Sequence, residues 1–269
     1  MLRAIETEVL AAREAYSFIK RRPGDSDTVL GLYGISLFGL ERGRLMRASY
    51  LPIRFVDDLL DRDAGGIDDP LLYAQELRTH IANNTLTTTP IEQQLHYALD
   101  ILESKAKPAD NPRMDFCNAI DAIIFDRIRA SERRVLSAEE IEQYYRKAFD
   151  PVINITLLAI DSKLRINDFP VLSYGEGRVY SARDFKIDWE RGIINVPNEV
   201  ILSAGLSSSS PFVEVESNPV IRDWFHQSLT ITRPDLIDAQ LLLKQSQEKQ
   251  TQAVMNGLIS PMLKFIDAS

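Results

Sequence analysis

Apolar residues recur at helical spacing along almost the whole chain, and this periodicity restricts the fold more than any other feature of the sequence. Glycine is scarce, with 12 in 269 residues, and the alternation of Val, Ile and Thr that is typical of strands is almost absent. The pattern predicts helices at about 2–21, 27–43, 44–62, 70–84, 90–104, 114–131, 138–161, 171–191, 197–204, 217–231 and 234–267. We therefore predict an all-α protein, with one helical bundle formed by residues 1–269.

The composition excludes several classes of function. The 31 Lys and Arg against 39 Asp and Glu give a net charge of −8, which argues against nucleic acid as a main partner because phosphate backbones require clustered cations. No apolar run is long enough to cross a bilayer, and the charged N-terminus lacks the apolar segment of a signal peptide. We expect a cytoplasmic protein, and peripheral contact with a membrane stays open. The lone cysteine, Cys117, excludes a disulfide framework and is expected to be buried.

A polar stripe runs along the predicted helix 44–62, where a bundle helix normally carries Leu, Ile or Val. Its members share one helix face at spacings of three and four: Arg47, Tyr50, Arg54, Asp57 and Asp61. Because the other faces are apolar, the stripe either faces solvent or lines a polar seam inside the bundle. Pro52 lies within this helix and is expected to kink it.

A second pair of aspartates, Asp184 and Asp188, lies four residues apart in the predicted helix 171–191. Small residues precede the pair on roughly the same face and would leave room beside a ligand: Ser173, Gly177 and Ser181. Basic residues surround it: Arg178, Arg183, Lys186 and Arg191. Carboxylate oxygens suit Mg²⁺ and arginines suit phosphate. Two such pairs beside an apolar cavity describe a site that ionises an allylic diphosphate.

These segments resemble the squalene/phytoene synthase family, whose members have an all-α isoprenoid-synthase fold with a central cavity. Residues 54–61 (RFVDDLLD) are similar to the family pattern R-x-x-D-[DE]-x-x-D, and residues 183–197 (RDFKIDWERGIINVP) to R-D-x-x-x-D…G-x-x-[NY]-[IL]-P. Between them, Phe125-Asp126-x-x-Arg129 and Tyr144 resemble further family positions. The similarities occur in the family's order over about residues 40–200.

The resemblance implies roles for individual residues of this chain. The Mg²⁺ ligands and catalytic carboxylates would be Asp57, Asp61, Asp184 and Asp188. Contacts with the diphosphate or the prenyl chain would come from Arg47, Tyr50, Arg54, Tyr144, Gly177, Tyr180, Arg183 and Arg191. Gly177 and Tyr180 replace a Gln and an Asn of well-studied members, and residues 148–153 (AFDPVI) replace A-G-x-V-G. The ionisation residues are thus present, whereas the site of the second substrate is altered.

The function implied is that of a Mg²⁺-dependent prenyltransferase, which ionises an allylic isoprenoid diphosphate and transfers the prenyl cation to an acceptor carbon. The first choice of acceptor is a second prenyl diphosphate, joined head to head as in squalene or phytoene formation. The alternative is a small aromatic ring such as an indole or carbazole, for which Tyr180 and Phe149 could form a flat wall. A further alternative is an inactive family member that serves as a binding or assembly protein. A chain-elongating enzyme is disfavoured because residues 184–188 are not a second D-D-x-x-D motif.

Overall fold

The computed structural model describes residues 2–61 and 64–269, and every regular element among them is helical. This confirms the predicted all-α class. Arg62, which the prediction placed at the end of a helix, and Asp63, which it placed in a loop, lie outside the described residues. The α-helices are α1 (Leu2–Arg21), α2 (Ser26–Gly34), α3 (Leu40–Leu60), α4 (Pro70–Asn83), α5 (Pro90–Lys105), α6 (Pro112–Glu132), α7 (Ala138–Ala159), α8 (Leu172–Arg183), α9 (Phe185–Arg191), α10 (Asn198–Ser203), α11 (Phe212–Ser217), α12 (Pro219–Gln245) and α13 (Lys249–Ala268).

Helix α7 begins at residue 138, as the helical periodicity predicts, and residues 137–140 (SAEE) form a capping box at its start. The Ser137 hydroxyl accepts a hydrogen bond from the backbone N–H of Glu140 at 3.2 Å, and the Glu140 carboxylate accepts one from the N–H of Ser137 at 2.8 Å. This capping box satisfies two amides that the first turn of a helix leaves free.

Two predicted boundaries in the first and last thirds of the chain are wrong. The break predicted between residues 43 and 44 lies instead at Gly39, whose φ of +136° no L-residue adopts readily, so that α3 begins at Leu40. The break predicted near residue 232 does not occur, because α12 continues through Pro234. Thr232 and Leu236, on either side of this proline, lie against Gly175 of α8, and this packing offsets the hydrogen bond that proline cannot make.

The predicted helix 171–191 is divided at Asp184. This residue has φ −97° and ψ 8°, which ends α8 and precedes α9. Backbone hydrogen bonds still join the N–H of Asp184 to the Tyr180 carbonyl and the N–H of Asp188 to the Asp184 carbonyl, at 2.8 and 2.9 Å. The two aspartates therefore remain one turn apart despite the break.

Two compact units can be distinguished in the chain. Unit 1 comprises the residues up to Ile124, Pro151–Asp168 and Glu248–Val254, and unit 2 comprises Phe125–Asp150, Phe169–Gln247 and Met255–Ser269. In unit 1, α3 packs against α1 and α5 around a core that includes Phe18, Leu45, Leu95 and Phe116. Cys117 is buried in this core, as predicted.

Unit 2 is organised around α8, which packs against α12, while α9 packs against α11. One apolar cluster surrounds Trp189 and Ile221, and a second surrounds Leu136, Ile141 and Tyr145. No helix within the described residues is long and apolar enough to span a membrane.

Gly43 allows a close contact on which the start of α3 depends. A Cβ at this position would lie 2.8 Å from the backbone Cα of Ser36, so we expect Gly43→Ala to lower the free energy of unfolding by about 1–3 kcal/mol. Gly31 of α2 is the matched control, because a Cβ there would meet nothing within 4 Å, and Gly31→Ala should raise stability by about 0.5–1 kcal/mol. Urea unfolding of the two variants measures both effects. Equal effects at the two positions would contradict the packing described for Gly43.

Candidate functional site

A fully buried carboxylate in unit 1 is surrounded by arginines from two segments of the chain. Asp58 has no exposed side-chain surface, and it accepts hydrogen bonds from Arg21 Nε at 3.0 Å and Arg22 Nε at 2.7 Å. Arg54 Nη2 of α3 lies 3.3 Å from the same carboxylate. Because a buried charge is costly unless it is paired, Asp58 fixes the end of α1 against α3.

The two predicted metal-binding aspartates of α3 lie beside Asp58 and are half-buried. Arg54 Nη1 is 2.6 Å from Asp57, and Arg22 Nη2 is 3.1 Å from Asp61. Burial, with a smaller effect from the negative charge of Asp61, raises the pKa of Asp57 to about 6 against the effect of Arg54. Each carboxylate thus has a guanidinium partner, yet the ionised form of Asp57 is less stable than that of a solvated aspartate. We call Asp57, Asp58, Asp61, Arg21, Arg22 and Arg54 the acid–arginine cluster.

The other two members of the α3 stripe are buried or half-buried, so the stripe is not a fully solvent-exposed face. Arg47 is buried: its guanidinium donates to Glu8 at 2.6 Å and to the Ser36 hydroxyl at 3.0 Å, and it lies 4.2 Å from the centre of the Tyr33 ring. Arg47 therefore joins α3 to α1 and α2. This structural role differs from the diphosphate contact expected of it. Tyr50 is half-buried and packs against the core of unit 1.

The second aspartate pair belongs to unit 2. Both side chains are half-buried. Arg183 makes a two-pronged contact with Asp184, from Nε at 2.8 Å and from Nη2 at 2.6 Å. Asp188 accepts a hydrogen bond from Asn195 Nδ2 at 3.2 Å. The predicted arginine and aspartate side chains of this motif are therefore in contact.

A polar network leads from Asp188 into the interior of unit 2. Asn195 also accepts a hydrogen bond from Arg129 Nη2 at 2.7 Å, and Arg129 Nε donates to Asp126 at 2.6 Å. The Tyr144 hydroxyl donates to the other oxygen of Asp126. Arg129 is completely buried and lies 4.4 Å from the centre of the Tyr144 ring. Three residues singled out by the resemblance (Asp126, Arg129 and Tyr144) thus form one connected network with Asp188.

The small residues of α8 do not leave open space, contrary to our expectation. The Tyr145 ring occupies the position beside Gly177, where a Cβ would lie 2.2 Å from Tyr145 Cγ. The Tyr145 hydroxyl is 2.8 Å from that of Ser181, and Ser173 donates to Asp150. Gly177 therefore accommodates an aromatic side chain, and the space that the pattern suggested for a ligand is filled by the protein.

Aromatic rings form a continuous series in unit 2. Neighbouring rings have centroids 5.8–6.5 Å apart, in the order Phe125, Tyr144, Tyr145, Phe149 and Tyr180. Tyr180 and Phe149 meet edge to face at 5.9 Å, and the Arg183 guanidinium lies 4.5 Å from the Tyr180 ring centre. Phe149 and Tyr180 are in contact, but their rings are steeply inclined and do not form the flat wall suggested for an aromatic acceptor.

The end of the second motif is determined by a glycine. Arg191 is exposed at the last position of α9, and Gly192 follows it with a φ of +90°. A Cβ at Gly192 would lie 2.4 Å from the carbonyl oxygen of Ala130. This close approach requires glycine and holds α9 against the end of α6.

Glu176 is a buried acid that the sequence analysis missed. Burial raises its pKa to about 8, although the hydrogen bond from Tyr180 and the positive charge of Arg183 act in the opposite direction. Its Oε2 has no hydrogen-bonding partner among the residues that the structure describes. A buried unsatisfied polar atom costs about 1–3 kcal/mol. Glu176 therefore lowers the stability of the fold, and packing does not explain its presence.

Three members of the acid–arginine cluster were also missed by the sequence analysis. Two of them, Arg21 and Arg22, are adjacent arginines at the end of the amphipathic helix α1, but nothing in the sequence shows that they reach Asp58. Asp58 itself lies inside the motif and was treated as a spacer.

Across residues 2–61 and 64–269, no three His, Cys, Asp or Glu side chains are grouped closely enough to hold a metal ion by themselves. The donor chemistry nevertheless fits Mg²⁺, which is usually held by one or two carboxylates and completes its six ligands with water and substrate phosphate. Asp57 with Asp61, and Asp184 with Asp188, are such pairs.

No protein-family model matches the chain, and no curated protein is similar to it in sequence. The assignment of a function therefore depends on the side chains themselves and on the motif resemblance.

The raised pKa values of Asp57 and Glu176 predict a pH dependence of stability. Above the ordinary carboxyl pKa of 3.8 for Asp and 4.5 for Glu, the unfolded chain releases protons that the folded protein retains. The contribution of these retained protons to the free energy of unfolding is complete below the ordinary pKa. It decreases as pH rises to about 6 for Asp57 and to about 8 for Glu176. We expect Glu176→Gln, which is neutral at every pH, to lose less in melting temperature than the wild type between about pH 5 and pH 8. Thermal unfolding followed by circular dichroism measures how the melting temperature of each protein changes with pH. Equal changes in the wild type and in Glu176→Gln would contradict the raised pKa of Glu176.

Proposed function

We propose that the protein is a Mg²⁺-dependent prenyltransferase that ionises an allylic isoprenoid diphosphate and transfers the prenyl cation to an acceptor carbon. In this reaction the bond between the allylic C1 and the diphosphate oxygen breaks, and both electrons leave with the diphosphate. A carbon–carbon bond then forms between C1 and the acceptor, which loses a proton.

The observation that carries this proposal is the acid–arginine cluster. Asp58 pairs with the arginines that join α1 to α3. Asp57 and Asp61 are half-buried carboxylates at the margin of the cluster. Hard oxygen donors and guanidinium groups are thus adjacent, which is the combination that a metal diphosphate requires. A cluster that served only to join α1 to α3 would not need the additional pair of carboxylates.

Mg²⁺, when bound, would be held by Asp57 with Asp61 and by Asp184 with Asp188, and would neutralise charge on the leaving diphosphate. The side chains of this chain supply the remaining functions. Arg54 and Arg183, which pair with Asp57 and Asp184, would bind diphosphate oxygens through their planar forks. The series of aromatic rings from Tyr144 to Tyr180 offers π faces that stabilise a neighbouring cation.

The resemblance by itself suggests a second prenyl diphosphate as the acceptor, joined head to head as in squalene- or phytoene-type products. A specific observation supports the aromatic acceptor as a second candidate. Phe149 and Tyr180 are in contact, and Tyr145 fills the space beside Gly177, so aromatic rings occupy the region where the family motif is altered.

The proposed ionisation is tested by substitution of one aspartate in each pair. We expect Asp57→Asn and Asp184→Asn each to reduce Mg²⁺-dependent release of diphosphate from farnesyl or geranylgeranyl diphosphate by about 100-fold or more, because each removes a charge that acts in the transition state. Asp68→Asn is the matched control, since Asp68 is exposed in a loop, and its activity should equal that of the wild type.

Removal of Mg²⁺ with EDTA should abolish the release and added Mg²⁺ should restore it. If the wild type releases no diphosphate, or if the two variants release it at the wild-type rate, the proposed function is wrong. An unchanged cellular role in both variants would then favour the binding or assembly alternative.

A further inference from the structure

Glu176 is a buried carboxyl group for which neither the fold nor the proposed ionisation provides a use. Glu176 is 8% exposed. Its Oε2 atom is not accessible to solvent and has no hydrogen-bonding partner among the described residues. In Asp58, by contrast, both carboxylate oxygens accept hydrogen bonds from arginines. Glu176 is thus among the few described side chains, Arg47 and Arg54 included, that have a buried polar atom without a partner.

The position of Glu176 connects it to the second aspartate motif. Glu176, Tyr180 and Arg183 follow one another along α8 at spacings of four and three, which places them on one helix face. Tyr180 hydrogen-bonds the Glu176 carboxyl group, the Arg183 guanidinium lies 4.5 Å from the Tyr180 ring centre, and Arg183 contacts Asp184. Asp184 is the eighth residue after Glu176, which corresponds to about 12 Å along the helix axis.

The chemistry of Glu176 limits what it can bind. Because burial raises its pKa to about 8, the group is largely protonated at neutral pH and attracts neither a metal nor a cationic partner strongly. A protonated carboxyl group donates one hydrogen bond and accepts others. Its complement is an uncharged group such as a ring N–H or a hydroxyl.

We propose that Glu176 binds the acceptor of the prenyl group through a hydrogen bond at Oε2, which the acceptor reaches by displacing the side chains that now enclose this atom, and that the acceptor accordingly carries an uncharged N–H or O–H group. This inference rests on the proposed function, since it names the acceptor class for the same reaction. Tyr180 and Phe149, with their rings 5.9 Å apart, would contact the apolar part of that acceptor. The hydrocarbon tail of a second prenyl diphosphate has no group that pairs with a carboxyl, so its burial beside Glu176 would leave Oε2 unsatisfied.

The test compares indole with 1-methylindole, which differs in lacking the N–H. Each is supplied with Mg²⁺ and farnesyl or geranylgeranyl diphosphate, and kcat/KM is measured for the wild type, Glu176→Gln and Glu176→Leu. We expect the wild type to prefer indole by about tenfold. Glu176→Gln should retain most of this preference because an amide still accepts a hydrogen bond, and Glu176→Leu should abolish it. Glu216→Leu, at an exposed position of α11, is the surface control.

Diphosphate release is recorded in the same reactions and separates the two proposals. If diphosphate is released but the preference for indole is absent, or persists in Glu176→Leu, the inference about Glu176 is wrong and the proposed function stands. If no diphosphate is released, the proposed function is wrong. Calorimetric binding of indole and 1-methylindole to the wild-type protein requires neither turnover nor a folded variant, and equal affinities would overturn the inference on Glu176 in either case.

Discussion

Both units of this protein depend on the pairing of charges that lie inside a helical structure. An unpaired buried carboxylate or guanidinium costs several kcal/mol, whereas a pair with complete hydrogen bonding restores most of that loss. In unit 1 the Asp58 carboxylate is paired with Arg21, Arg22 and Arg54. In unit 2 the Arg129 guanidinium is paired with Asp126 and Asn195. Each of these two sets of paired side chains fixes the position of a helix end or of a loop that carries part of a motif.

The same pairing leaves particular groups at the margin of each network. Asp57 and Asp61 each have an arginine partner, but they are less buried than Asp58 and repel one another. Asp188 lies at the outer end of the network that begins at Tyr144. Arg22 and Asn195, which hold Asp61 and Asp188, have no part in binding the proposed ligand and can stay in place when it arrives. Such preorganisation is what catalysis by electrostatic stabilisation requires, and it connects the stability of the fold to the function that we propose.

Much of this arrangement could be predicted from the sequence because it follows from spacing along a helix. The capping box at Ser137, the placement of the α3 stripe on one helix face and the one-turn separation of Asp184 and Asp188 depend on local geometry alone. Features that depend on what packs against a helix could not be predicted. Gly177 indicated free space by its size, yet Tyr145 fills that space. Glu176, which no sequence pattern singled out, is buried.

A crystal structure of the protein with Mg²⁺ and a non-hydrolysable allylic thiodiphosphate tests the proposed ionisation most directly. We expect metal ions about 2.0–2.1 Å from carboxylate oxygens of Asp57 or Asp61 and of Asp184 or Asp188. We also expect Arg54 and Arg183, which now pair with Asp57 and Asp184, to contact diphosphate oxygens. A structure in which Mg²⁺ and the analogue bind elsewhere, with both arginine–aspartate pairs unchanged, would contradict the proposed ionisation.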